Sequence, residues 1–230
     1  MTNPDAYTLF NYQETRVTAE PSGLIAPVGL VIVGALTSTD ARALARLRRG
    51  VFMMLAYLAN DVVHTGGHII SSRYANAPMN QFHLAAPMPK TVYTNNDVSP
   101  RQHKLRAIGG PVASGLALLL CGLWRPFTRP GSALRELLTL EMWMYTLVGV
   151  FALFPLPFVD GGSLLKWTLV ERGQSPEQAE ETVKQTNLGL SAVFGVGGLI
   201  LALLRRWKLA AAMIVGAVQF LAIGLGKLKL

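Results

Sequence analysis

An apolar run fit to cross a lipid bilayer, Gly50-VFMMLAYLANDVVHTGGHII-Ser71, carries two histidines four residues apart, His64 and His68. Positions i and i+4 share one helix face, so both imidazoles can point at a single metal ion. Polar side chains are costly at membrane depth and face a protein interior when they occur there. Two of them on one face, at ligand spacing, call for a partner that offsets their burial, and zinc is the usual one.

Composition sets the class. Of 230 residues, 51% are hydrophobic and only 15% are charged, against about 25% charged in a soluble domain. Mean hydropathy is +0.36, and apolar stretches recur along the whole length. That pattern predicts an all-α fold, a polytopic bundle of transmembrane helices, with the bilayer as its first partner. The net charge of +8 is read as Lys and Arg anchoring helix ends at lipid headgroups. Nucleic-acid binding is excluded, because no basic segment with aromatic platforms exists. The single cysteine, Cys121, rules out an intrachain disulfide, and its apolar surroundings make it inert packing.

Six spans are expected, or five if the first only lies at the interface. Residues 1–22 form a polar segment without a basic leader, so no cleavable secretory signal is expected; Tyr7–Tyr12 is read as a short strand or surface segment. The first span starts near Gly23 and is loosened by Pro27 and Gly29. The second covers 50–71. A polar loop follows over 73–106, too long to be idle in a compact fold. The third span opens at Gly109-Gly110-Pro111 and runs from about 110 to Trp124. The fourth begins near Leu137 and breaks at Pro155 and Pro157 while still apolar; broken backbone at that depth survives only inside protein or beside a polar cavity. The fifth and sixth occupy 187–204 and 209–226, where Ser191, Gly195, Gly197 and Gly198 suit close helix packing. The organisation is therefore a polar segment (1–22), a membrane core with the metal site (23–170) and a C-terminal pair of helices (171–230). Six spans place eleven Lys and Arg on one side and ten on the other, so charge does not orient the chain.

A catalytic zinc site takes three protein ligands and keeps one open position. His64 and His68 supply two. Asp160 is the best third, an acid in a helix break followed by Gly161 and Gly162. Asp61 projects about 60° around the helix from His64 and roughly 4.5 Å along its axis, which suits a partner for the free N–H of the His64 ring or a substitute base. His83 and His103 are expected to be loop residues, and Glu141 lies far along the fourth segment.

These elements resemble the site-2 proteases, intramembrane zinc metalloproteases. His64-TGGH-His68 aligns with their His-Glu-x-x-His signature, and Gly67 stands directly before the second histidine, as is typical there. Ile108-GGP-Pro111 resembles their Gly-Gly-Pro element, and Ala152-LFPLPFVDGG-Gly162 resembles their Asn-Leu-x-Pro…Asp-Gly stretch, in the same order and at similar distances. The resemblance covers residues 20–170. It implies a site-2 protease-like core, zinc held by His64, His68 and Asp160, and another protein's transmembrane segment as substrate or partner. Two departures bear on activity. Thr65 stands where the family carries its general-base glutamate, and Ala152 stands where it carries asparagine. A threonine hydroxyl does not ionise near neutral pH, so the resemblance implies a pseudoenzyme that keeps fold and metal but has impaired proteolysis. Three alternatives stand beside it: an active metalloprotease with a relocated base such as Asp61, a metal-handling or transport protein, and a structural subunit without metal. The expected location is integral to the cell membrane, multi-pass.

Overall fold

The computed structural model describes residues 6–86 and 88–227; residues 1–5 of the polar segment and 228–230 of the C-terminal segment lie outside them. The chain divides into two compact units, Met1–Ala152 and Leu153–Leu230.

The first unit runs β1 (Tyr7–Tyr12), β2 (Thr15–Ala19), a 3-10 turn (Pro21–Leu24), α1 (Ile25–Thr37), α2 (Ala43–Tyr74), β3 (Gln81–Leu84), β4 (Lys90–Val92), α3 (Pro100–Trp124), a second 3-10 turn (Arg125–Phe127) and α4 (Ala133–Ala152). The all-α expectation holds for the bulk of the chain, but a four-stranded sheet in the order β1-β2-β3-β4 adds to it. β1 coincides with the segment read as a strand. β2 and β3 pair in parallel, Arg16 opposite Gln81 and Ala19 opposite Leu84. A parallel pair needs a crossover connection, and α1 and α2 provide it. Thr15 Oγ1 donates to the Met79 carbonyl at 2.8 Å, and Ser72 Oγ accepts from the Met79 amide at 3.1 Å. These bonds seat the sheet on the C-terminal end of α2.

The expected loop over 73–106 is largely ordered. It holds β3, β4 and the first turns of α3, which begins ten residues earlier than its apolar run. Ser99 and Gln102 form a capping box with Pro100 at the first helical position, so backbone donors that would be orphaned are satisfied. The same Ser-Pro-x-Gln device, Ser175 to Gln178, starts the later helix Pro176–Leu203 well before the expected 187. In both cases the polar first turns continue an apolar helix that hydropathy alone truncates.

α2 crosses α3 at Gly67 and Gly109. A Cβ on either residue would run into the carbonyl oxygen of the other, so this crossing requires the absence of side chains. The close approach lays the His64 and His68 rings on the surface of α3.

The second unit contains α5 (Asp160–Glu171), α6 (Pro176–Leu203) and α7 (Trp207–Gly224). The small residues of α6 pack on α7 as expected. Gly197 faces Met213, Gly198 faces Ile214, and Ser191 Oγ donates to the Ala217 carbonyl at 2.8 Å.

Three helices among the described residues are long and apolar enough to cross a membrane: Pro100–Phe127, Pro176–Leu203 and Trp207–Gly224. Their outward residues are bare hydrocarbon: Leu119 and Leu123 on α3, Leu199 and Leu203 on α6, and Val215 and Val218 on α7 are all exposed. Apolar faces of this extent support a membrane protein. α1 has 13 residues, roughly 20 Å by helical rise, short of a bilayer core of about 30 Å. α2 is long enough at 32 residues, but Asn60, Asp61, His64 and His68 dilute its hydropathy.

Candidate metal centre

The sequence pattern of α2 puts His64 and His68 one turn apart, and the Gly67 crossing presses them on α3. Their ring centroids are 4.8 Å apart with planes at 76°. His68 is 5% exposed. Its Nδ1 lies 2.8 Å from the Arg106 carbonyl oxygen. A carbonyl only accepts, so Nδ1 carries the proton and Nε2 presents its lone pair. His64 Nδ1 lies 3.0 Å from Ser114 Oγ, a fully buried hydroxyl. Both rings are therefore held from behind through Nδ1, the arrangement that orients metal-ligating imidazoles.

Gly110 completes this half of the site. A Cβ there would collide with Nε2 of both rings. The two nitrogens thus meet over a point of α3 that carries no side chain. Two imidazole nitrogens facing one small space are a donor set that suits zinc. Sequence reasoning noted the Gly-Gly-Pro element but missed Ser114. Its signal was present: Ser114 stands four residues after Gly110, on the same face of α3.

Arg106 also ties down the strand connections through its side chain. Its Nε donates to the Ala77 carbonyl at 2.7 Å and its Nη2 to the Asn95 carbonyl at 2.9 Å, while the guanidinium lies 4.4 Å over the Tyr93 ring. One residue therefore joins the His68 ring to the polar segment ahead of α3.

Asp160 belongs to the second unit, where it is the first residue of α5. A carboxylate in a first turn is favoured by the helix dipole. The break expected from Pro155 and Pro157 separates α4 from α5 at residues 153–159. A Cβ on Gly161 would strike the Leu153 carbonyl, and one on Gly162 the Leu156 carbonyl, so the glycine pair lets the broken strand of backbone fold on α5. Asn187 of α6, fully buried, donates from Nδ2 to the carbonyls of Pro155 at 2.8 Å and Val183 at 2.7 Å. The sequence reading passed over Asn187.

The remaining candidates are dispersed. Thr65 is 7% exposed. Asp61 lines a cavity of about 720 Å³ in the first unit, and Ser114 rather than Asp61 is the partner of His64 Nδ1. His83 is part of β3, not a loop; its Nδ1 lies 2.8 Å from Thr18 Oγ1 and its Nε2 3.0 Å from Glu20 Oε1, a network that ties β2 to β3. His103 lies in α3, with Nε2 3.3 Å from the Asn96 carbonyl. Glu141 is buried on α4, one turn before the buried Tyr145.

No family model and no curated protein matches this sequence. A solved structure does match: the site-2 protease from Methanocaldococcus jannaschii, with a TM-score of 0.56 over 93% of this chain and 94% of that one, at 15% identity. The fold is site-2 protease-like. The likeness at that identity is one of backbone.

The contacts of the two rings give a direct expectation. Ser114→Ala removes the partner of His64 Nδ1 and leaves α3 intact. If the two rings hold zinc, its affinity should fall about 10–100-fold, as for other outer partners of metal-ligating histidines, with an unchanged far-ultraviolet circular dichroism spectrum. Titration with a competing chelator measures it, and unchanged affinity would show that the hydroxyl does not orient the ring.

Proposed function

We propose that this chain is a zinc-binding intramembrane protein on a site-2 protease-like scaffold, engaging a transmembrane segment of another protein and cutting it slowly or not at all. His64 Nε2, His68 Nε2 and an Asp160 carboxylate oxygen are the ligands in this reading. The observation that carries it is the pair of imidazoles braced through Nδ1 and aimed into the notch at Gly110. Zinc held there would supply Lewis acidity toward a peptide carbonyl and a water.

The chain's own residues then limit the chemistry. A hydrolase of this kind needs a side chain that takes a proton from water and returns it to the leaving amine. Thr65 stands at that position and cannot hold or release a proton near neutral pH. The absence of a positioned acid–base group costs on the order of 10²–10⁴-fold in rate. In this reading the chain crosses the cell membrane about six times: α1 is extended by its flanking residues, α2 and α4 span despite their polar groups, residues 23–170 form the core, and α6 and α7 form a C-terminal pair.

Purified full-length chain in detergent, mixed with a single-span protein, tests the activity. Turnover is expected to be slow and to be abolished by a chelator. Rapid chelator-sensitive cleavage by the unmodified chain would overturn the impairment, and point to a base supplied from elsewhere, Asp61 first. Zinc flux into liposomes would favour the transport reading instead.

A further inference from the structure

The cavity that Asp61 lines includes none of His64, His68 and Asp160. It is walled by β1 and β2, the turn into α1, the segment after β3, and one face of α2. About 720 Å³ is within the range of ligand-binding cavities. Its walls are almost wholly apolar: Leu9, Ile25, Leu58 and Leu84 are typical. Two carboxylates border it, Glu20 and Asp61. Glu20 is engaged, accepting from Ser22 Oγ at 3.1 Å and lying 3.0 Å from His83 Nε2. Asp61 makes no hydrogen bond or ion pair among the described residues. An acid in an apolar wall with no cation among the described residues beside it is expensive. Such a group becomes favourable when a guest brings the opposite charge.

We propose that Asp61 selects clients: the cavity takes an apolar stretch of a partner membrane segment that bears one lysine or arginine, its cationic head on the Asp61 carboxylate. This deepens the reading given under Proposed function and rests on it for the nature of the partner. Lysine and arginine suit the site because their aliphatic stems lie well on apolar surface while the charged end reaches a polar group. Tyr57, one turn before Asp61 and also in the wall, offers its ring to the same stem. A peptide without a cation leaves the carboxylate unpaired, so charge in the guest, rather than bulk, decides affinity.

The test uses the full chain in detergent micelles and two labelled single-span peptides, identical except for lysine or norleucine at one central position. Fluorescence anisotropy should show the lysine peptide binding about tenfold tighter to the unmodified chain. The Asp61→Asn variant should bind both peptides equally, and bind the norleucine peptide as the unmodified chain does, which shows that its cavity is intact. The double variant His64→Ala/His68→Ala should keep the lysine preference, because the cavity does not use the metal. Equal affinity for the two peptides in the unmodified chain, or a lysine preference that survives Asp61→Asn, would overturn the proposal. So would photo-crosslinking from position 58 that captures lipid in place of peptide. A retained lysine preference in a chain that neither holds zinc nor cleaves would sink the metallopeptidase reading while leaving this one standing.

Discussion

Zinc content should fall from about one ion per chain to near zero when His64, His68 or Asp160 is replaced by alanine. In the proposed site each substitution removes one of three ligands, and the remaining pair would not hold zinc against solvent and buffer. The expectation for the histidines follows from geometry. His68 has its proton placed on Nδ1 by the Arg106 carbonyl, His64 is braced by Ser114, and both Nε2 atoms converge where Gly110 leaves room. The expectation for Asp160 follows from its position as the first residue of α5 after the proline break. Elemental analysis of purified variants measures all three. Circular dichroism must stay unchanged, so that lost metal is not lost fold. Asp160→Ala with full zinc content would remove the third ligand from the proposal, and unmodified chain without zinc would remove the metal itself.

Thr65→Glu should raise cleavage of a single-span substrate on the order of 10²–10⁴-fold, the usual contribution of a positioned general acid–base group. Position 65 immediately follows His64 in α2 and is buried, so the introduced carboxylate would work in a largely desolvated place. Thr65→Gln is the control, with similar bulk and no proton to exchange, and it should stay as slow as the unmodified chain. Gains that are equal in the Glu and Gln variants would mean that shape, not proton transfer, limits the reaction. Rates unchanged in Thr65→Glu would mean that a further defect, Ala152 first, also blocks catalysis.

Much of this was legible in the residues, and where it was not the reasons are specific. The apolar runs located α1 to α4, α6 and α7, because burial in lipid demands hydrocarbon over a set length; α5, after the proline break, was not foreseen as a helix of its own. Their starts were missed at Pro100 and Pro176, since hydropathy does not register a polar first turn. Both starts were nevertheless written in local chemistry, as Ser-Pro-x-Gln capping boxes. The sheet was legible only at β1. Its central pairing joins residues 16–19 to 81–84, and short polar strands so far apart carry no period that announces a shared ladder.

By itself the sequence determined a helical membrane protein with two imidazoles on one face and a proline-broken segment ending in an acid. Those features follow from helical spacing, from the cost of polar groups in hydrocarbon, and from the missing amide of proline. Only the tertiary structure decided which nitrogen of His68 carries the proton, that Ser114 stands behind His64, and that Gly67, Gly109 and Gly110 clear the ground between α2 and α3. It alone turned Asp61 toward an apolar cavity. Each of these depends on atoms from another element of the chain, and no local pattern of side chains encodes where a second helix will lie.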